Sequence, residues 1–319
     1  DRKGDPFMNA FEVLVPGGFT TVQDKGRFGF QHMGVPVCGV LDTFACDVAN
    51  LLVGNNKDRA VLEITVMGPS LKFLSPMDIA VTGAKMDMTL NKMPVDQWRS
   101  IRVKAGDVLT ISQVQEGCRA CLAVTGGIQV FPVMGSCATY VGGGFGGFRG
   151  RPLQAGDILD AHEGDLLIRE RRVPENLIPQ YPSHVVLRAV PGPQDDFFDQ
   201  GLTTLFTTRY MVTPNANRMG YRLQGEKIPI RPGMPKSIVS EPSIPGSIQI
   251  PADEQPIILL VEQTVGGYAK IATVVSTDIA KVAQVIPGYT ISFERIDLKT
   301  AHQIFHDEKN KLAKILTSM

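Results

Sequence analysis

The chain carries no net charge: 32 lysines and arginines are matched by 32 aspartates and glutamates, and no long block of one sign interrupts them. Proteins that grip nucleic acid or an anionic bilayer neutralise many phosphates with a basic surface, so neither partner is expected. Long apolar runs are also missing. The longest, such as Ile257-Ile-Leu-Leu-Val, fall far short of the ~20 residues that a membrane-spanning helix requires. No charged start leads into an apolar segment of the secretory kind, and the opening Asp1-Arg-Lys-Gly-Asp-Pro-Phe reads as a tag remnant ahead of a native Met8. Cysteine is scarce and odd in number, with five in 319 residues. That argues against a disulfide framework and for a soluble protein in a reducing, cytoplasmic setting. Cys118 and Cys121 have C-x-x-C spacing but lack the βαβ context or second Cys/His pair of a redox or zinc site.

Several catalytic signatures are absent too. There is no Gly-x-Ser-x-Gly, and His32, His162, His184, His302 and His306 occur in unrelated local contexts, which disfavours a hydrolytic triad. His302 and His306 are spaced i,i+4 without the glutamate of an H-E-x-x-H pattern, so no metal is expected. The run Val141-Gly-Gly-Gly-Phe-Gly-Gly-Phe-Arg-Gly-Arg lacks the Gly-Lys-Ser/Thr ending and strand-to-helix setting of a nucleotide loop. It reads as a flexible hairpin loop, or as a mobile loop beside a site where Arg149 and Arg151 face a carboxylate or phosphate.

What is present is a succession of short apolar or alternating runs punctuated by glycine and proline. Phe11-Glu-Val-Leu-Val, Ile79-Ala-Val-Thr, Asp107-Val-Leu-Thr-Ile, Cys121-Leu-Ala-Val, Val185-Val-Leu-Arg-Ala-Val and Ile257-Ile-Leu-Leu-Val predict strands of sandwiches or barrels. A Gly-Asp turn recurs at Ala105-Gly-Asp-Val-Leu and Ala155-Gly-Asp-Ile-Leu, with Pro287-Gly-Tyr-Thr-Ile similar, hinting at two related barrels. Helices are few. Asp42 can cap one running to Leu52 with Gly54 as its stop; others are expected over about 274–284 and 298–315. The length calls for two domains, and the prolines of residues 172–183 suggest the break, giving domains 8–175 and 176–319.

Polar side chains collect between glycines in the second half. Asn217-Arg-Met-Gly-Tyr-Arg-Leu, Gly246-Ser-Ile-Gln-Ile-Pro and Gln263-Thr-Val-Gly-Gly-Tyr-Ala-Lys-Ile-Ala supply Arg218, Gln249, Gln263 and Thr264 as hydrogen-bonding groups, while Gly266 and Gly267 let backbone N–H groups approach a small polar ligand. Glu241 and Asp195-Asp196 lie beside turns; Glu241 or Asp196 can serve as general base or orient an amide. Asp24, Arg27, Asp42 and Glu63 form a comparable polar set in the first half, for which turn capping and surface pairing are the competing roles.

These runs, together with Thr20-Thr-Val-Gln-Asp-Lys-Gly-Arg, Gly39-Val-Leu-Asp, Asn50-Leu-Leu-Val-Gly-Asn, Leu62-Glu, Gly68-Pro, Val81-Thr-Gly-Ala, the glycine-rich loop and Gly192-Pro-Gln-Asp-Asp-Phe-Phe, resemble the allophanate hydrolase subunit 2 family. It is also called the biotin-dependent carboxyltransferase family, and its members include the C subunit of 5-oxoprolinase (KipA-like proteins). The resemblance runs in order from about residue 11 to about 293. It implies a mainly β fold of two cyclophilin-like β-barrel domains with a few short helices. It further implies work on a planar amide: the ATP-dependent opening of 5-oxoproline to glutamate with a subunit-B-like (KipI-like) and a subunit-A-like (LamB/YcsF-like) partner. The alternatives are carboxyl transfer to urea or another amide, or non-enzymatic regulation through the KipI-like partner. In these readings ATP acts in the assembled complex, and no biotin is carried on this chain, where Lys85-Met lacks a methionine on the other side. The resemblance also implies that Arg218, Gln249 and Gln263 with Glu241 contact the amide, that Tyr221 and Tyr268 shape or close the pocket, and that Gln194 lines it. Departures fall in the loops: Gly39-Val-Leu-Asp replaces Gly-Ala-Met-Asp, Pro242 replaces a glycine after Ser-Glu, the segment before Gln263 is shorter, and Ala269 replaces a proline after Gly-Gly-Tyr.

Overall fold

A computed structural model describes residues 7–318; the suspected tag remnant, up to residue 6, lies outside the described residues. The chain divides into two compact units. The first contains the chain up to Arg27, Cys38–Gln180 and the end from Leu312; the second contains Phe28–Val37 and Tyr181–Lys311. The expected break at residue 175 therefore differs in detail. The units part at Gln180/Tyr181, residues 28–37 cluster with the second unit, and the last residues of the chain cluster with the first.

The first unit is built on a ten-stranded, wholly antiparallel sheet. Its spine is the pairing of Met77–Leu90 with Val108–Val124. The runs Asp107-Val-Leu-Thr-Ile and Cys121-Leu-Ala-Val, expected as separate strands, are the two ends of the second of these. Side chains alternate between the faces of a strand, and both faces are buried here. Leu62, Ile64, Ile79, Val81, Ala120, Leu122 and Val124 join the main core with Phe11 and Phe73, whose rings meet edge-on at 6.1 Å. Their neighbours Val61, Ala80, Cys121 and Ala123 face the helix Thr43–Leu52, whose Ala45, Cys46, Val48, Ala49 and Leu52 complete a second core. Two buried faces explain why these runs are continuously apolar.

Asp42 caps that helix as its sequence suggests, accepting from the Ala45 backbone N–H at 2.9 Å, and Gly54 follows its end at φ +80°. Asp42→Ala is expected to cost about 1 kcal/mol, the usual worth of an N-cap, read as a lower urea midpoint with unchanged slope. Cys118 and Cys121 are three apart on one strand and so point to opposite faces, which rules out a shared metal or redox pair. The two Gly-Asp turns are near copies, with Asp107 Oδ2 accepting from Lys104 N at 2.8 Å and Asp157 Oδ2 from Gln154 N at 2.7 Å. Both lie in the first unit, so they do not mark one barrel each.

The second unit is a closed barrel. Around it run His184–Pro191, Ala269–Val274, Ser247–Ile250, Ile257–Leu259, Gly220–Gln224, Arg209–Ala216 and Thr290–Arg295, which returns to the first strand. All pairs are antiparallel except the closing one, where His184–Pro191 and Thr290–Arg295 match in parallel over six residue pairs. A two-stranded ribbon, Glu241–Pro242 with Val265–Gly266, stands apart from the barrel strands. The helix expected over 274–284 is mostly replaced: a strand runs to Val274, followed by a 3-10 turn at Ser276–Asp278 and one helical turn at Ile279–Val282. The last helix, Leu298–Ser318, begins as expected. No described helix is long and apolar enough to cross a membrane.

Candidate functional site

A polar cluster of the second unit forms where the ribbon meets the strands Ser247–Ile250 and Ala269–Val274. Gln249 and Lys270 are direct partners across these two strands, so their side chains leave the same face of the sheet. Lys270 is buried, at 5% exposure. Its ammonium donates to Glu241 Oε1 and, at 3.4 Å, to the Pro242 carbonyl. Gln194 locks the arrangement from a third segment. Its Nε2 donates to Glu241 Oε1 at 2.9 Å, and its Oε1 accepts from the Lys270 backbone N–H at 2.9 Å. The Lys270 ammonium, and secondarily the Gln194 amide, hold the Glu241 carboxyl below its ordinary range. Glu241 is thus an anion at neutral pH, and its Oε2 meets no donor among the described residues.

Beside this pair stand two buried groups with nothing to bond. Among the described residues Gln249, 3% exposed, has no partner for its Nε2, and Ser243, also 3% exposed, has none for its Oγ. A buried donor left unmade costs roughly 1–3 kcal/mol, so such groups mark a place where a bound molecule, water or ligand, completes the bonding. Gly266 is part of the same construction: a β-carbon there would stand 2.2 Å from Gln249 Nε2. The cluster therefore offers a neutral N–H donor, a hydroxyl and a lysine-held carboxylate, a set suited to an amide's carbonyl oxygen and its N–H.

The residues expected from sequence divide accordingly. Glu241, Gln249, Gln194 and Gly266 are brought together, and Gly267 sits nearby, its carbonyl accepting from Ile238 N at 2.8 Å. Thr264 contributes through its backbone, its carbonyl accepting from Ser243 N at 3.0 Å. Others are engaged elsewhere. Arg218, expected to bind ligand, is ion-paired at 2.6 Å with Glu262, and both side chains are nearly buried. Gln263 Nε2 closes a local turn onto the Val265 carbonyl at 2.6 Å. Tyr221, 1% exposed, belongs to the barrel core. Tyr268 is 39% exposed. Asp196, the alternative base, is exposed on the short turn Asp195–Phe197 and has no bond to the cluster; its neighbour Gln194 is the member of that segment that reaches in. Lys270 and Ser243 stand outside the set expected from sequence.

In the first unit the polar set is structural at three of four positions. Asp24 accepts from Gly26 N, Ser136 Oγ and Cys137 N at 2.8, 2.6 and 2.5 Å. Asp42 is the helix cap described above. Glu63, 1% exposed, accepts from Leu41 N at 2.7 Å and lies 3.9 Å from the Arg119 guanidinium. Arg27, the fourth, is buried with its guanidinium against the Phe145 ring. Arg151, a candidate anion ligand, is held bidentately by Asp157 at 2.8 Å. Cys121 is fully buried, and its thiol is raised by the hydrogen-bonded Cys46 thiol and by burial.

Comparison with known proteins agrees with this architecture. The chain is 37% identical over 301 residues to the C subunit of 5-oxoprolinase from Escherichia coli, covering 93% of this chain and 95% of that protein. The same subunit of Haemophilus influenzae is 35% identical over 295 residues, covering 92% and 93%. Among solved structures, Kluyveromyces lactis urea amidolyase and urea carboxylase superpose with TM-scores of 0.91 at 32% identity over 98% of this chain. This chain spans only 20% and 30% of those longer proteins. The model of the carboxyltransferase domain, subdomain A and B, matches residues 33–295, and the chain belongs to that family.

Proposed function

We propose that this chain is the C subunit of an ATP-dependent 5-oxoprolinase, which opens 5-oxoproline (pyroglutamate) to L-glutamate together with subunit-A-like and subunit-B-like partners in the cytoplasm. The observation that carries the reading is the buried, unpartnered Gln249 amide beside the lysine-held carboxylate of Glu241. Near full-length similarity to two proteins named as this subunit supports it. A lactam presents a carbonyl oxygen that accepts and an N–H that donates. In this reading Gln249 Nε2 donates to the first and Glu241 Oε2 accepts from the second. As water adds to the carbonyl carbon, negative charge grows on its oxygen, and a buried donor already fixed in place stabilises that charge without reorganising. The ring C–N bond then breaks and the nitrogen gains a proton, leaving the amine and carboxylate of glutamate. ATP and any contacts to it are assigned to the assembled complex, and biotin to no residue of this chain.

Gln249→Leu separates function from folding. It removes an unsatisfied buried amide, so stability is expected to hold or rise, while turnover in the complex falls about 10²-fold, the usual loss for one oxyanion donor. The proposal itself is tested by mixing the chain with its A and B partners and following ADP and glutamate formation on 5-oxoproline, with each component omitted in turn. Both products are expected only when all three are present. No product despite a stable complex with the B partner would sink this reading in favour of a regulator or a carboxyltransferase. Carboxyl transfer to urea is the second reading, favoured by the close superposition on urea carboxylase and by the planar amide that urea shares with the lactam. It predicts carboxybiotin-dependent consumption of urea with biotin on a separate protein.

A further inference from the structure

Arg27 is a buried cation without a counter-charge. Its residue exposure is 1%; its Nη2 donates to the Ala138 carbonyl and its Nε, at 3.5 Å, to that of Val133. Its Nη1 has no partner, and the guanidinium forms no ion pair among the described residues. Asp24, three residues earlier, forms no ion pair with it and accepts instead from Ser136, Gly26 and Cys137. The Cys137 thiol cannot serve either: burial, and then Asp24, push it up to about 11, so it is neutral at physiological pH. A guanidinium removed from water with neither a carboxylate nor a full set of acceptors is costly enough that folded proteins rarely keep one without a purpose.

What covers Arg27 is the glycine-rich loop. The ring of Phe145 lies 5.1 Å from the guanidinium carbon, and Gly146 presses so close that an added β-carbon would stand 2.6 Å from Nη2. Gly147 has φ +52° while Phe148 after it is not among the positive-φ residues, and the N–H groups of Gly146, Gly147 and Phe148 donate to no acceptor among the described residues. Successive free N–H groups where the backbone changes hand in a turn can form an anion-binding concavity. Phe145 is held over the guanidinium by a backbone bridge to Tyr140 and by edge-on packing of the two rings at 5.5 Å, with the exposed Gly144 between them.

We propose that Arg27 Nη1 and the N–H groups of residues 146–148 form a binding site for a compact oxyanion, a phosphate or a carboxylate, with Phe145 as its cover. The site stands independently of the lactam reading and uses no residue of the Glu241 cluster. It is tested on the full chain in a buffer free of both anion classes, at ionic strength held constant with chloride, by calorimetric titration with inorganic phosphate and, separately, with acetate. One saturable site per chain is expected. Phosphate alone would identify a phosphoryl group as the ligand class, acetate alone a carboxylate, and both an unselective oxyanion seat. Arg27→Met is expected to abolish the heat. Should that variant fail to fold by circular dichroism, Arg27→Lys keeps the charge but lacks the planar fork, and is expected to bind about tenfold more weakly or worse. Arg149→Ala, on the exposed side of the loop, should stay within about threefold of the parent. Absence of saturable heat with either anion, or Arg27→Lys binding as tightly as the parent, would overturn the site.

Discussion

Lys270→Met is expected to lower 5-oxoproline turnover by the reconstituted complex about 10²–10⁴-fold, the range over which a positioned acid–base group contributes. The ammonium fixes Glu241 against Pro242 and Gln194 and keeps its carboxyl ionised. Methionine fills much of the same space and makes neither bond. The loss should not be a folding defect, because Glu241 is 39% exposed on its side chain and recovers water when the lysine goes. A pH profile distinguishes the positioning charge from a packing residue. In the parent, the acid limb set by Glu241 lies below the ordinary carboxylate range. In the variant, residual turnover should lose activity nearer the unperturbed glutamate value of about 4.3, as the depressing ammonium is gone. A variant with parental turnover, or with reduced turnover and an unmoved acid limb, would remove Lys270 from this role.

The largest effect on stability is expected at Asp278. This carboxylate is fully buried and accepts from Arg188 at three points: the backbone N–H at 2.8 Å, Nε at 2.9 Å and Nη2 at 2.5 Å. Lys281 lies 3.0 Å away. Burial by itself would raise the Asp278 carboxyl, but the Arg188 bonds and then Lys281 outweigh it, leaving the group below its ordinary value. Removing one member of a buried pair costs roughly 3–5 kcal/mol. Asp278→Ala should fall near the lower end, about 3 kcal/mol, because the Arg188 and Lys281 side chains are 27% and 45% exposed and can rehydrate. The folded-state value is depressed, so the stabilisation is complete above the unfolded carboxyl value of about 3.9 and lost as pH falls through the lower folded value. The gap between parent and variant in guanidinium unfolding should therefore be constant near neutrality and close in strong acid. A gap that widens on acidification would contradict this account.

How much could be read from the chain follows from the range of the forces involved. The strands were legible because alternation and apolar runs are local, and Asp42 because a cap bonds only three residues ahead. Gln194, Gln249 and Gly266 were legible as neighbours of one polar cluster, which the fold does assemble, because they stand in polar, glycine-flanked runs of a β-rich half. Lys270 was harder: a single lysine in an alternating strand normally signals a solvent face. Its burial depends on register with Gln249 and on a ribbon from residues 241–266, neither of which leaves a local mark. Arg218 misled for the mirror reason, since its partner Glu262 lies 44 residues on. The helix Asp199–Thr207 was missed because its threonines are poor helix formers. Two of them, Thr204 and Thr207, turn their hydroxyls back onto carbonyls four residues earlier, while Gly201 fits tightly against the Pro229 carbonyl, so tertiary packing overrides propensity.

The parallel pairing of His184–Pro191 with Thr290–Arg295 also sets an order in time. The strand that opens the second unit is completed by one whose first residue lies 106 positions later, so on the ribosome the ring cannot shut until nearly the whole unit has been made. Until then His184–Pro191 has an open edge, and the closing contact bears the full entropy of a long loop. Contacts of such high sequence separation slow folding and lengthen the exposure of unpaired strand edges. Refolding of this unit should accordingly be slow for its size, and the last strand to be synthesised should be the one whose loss most favours aggregation.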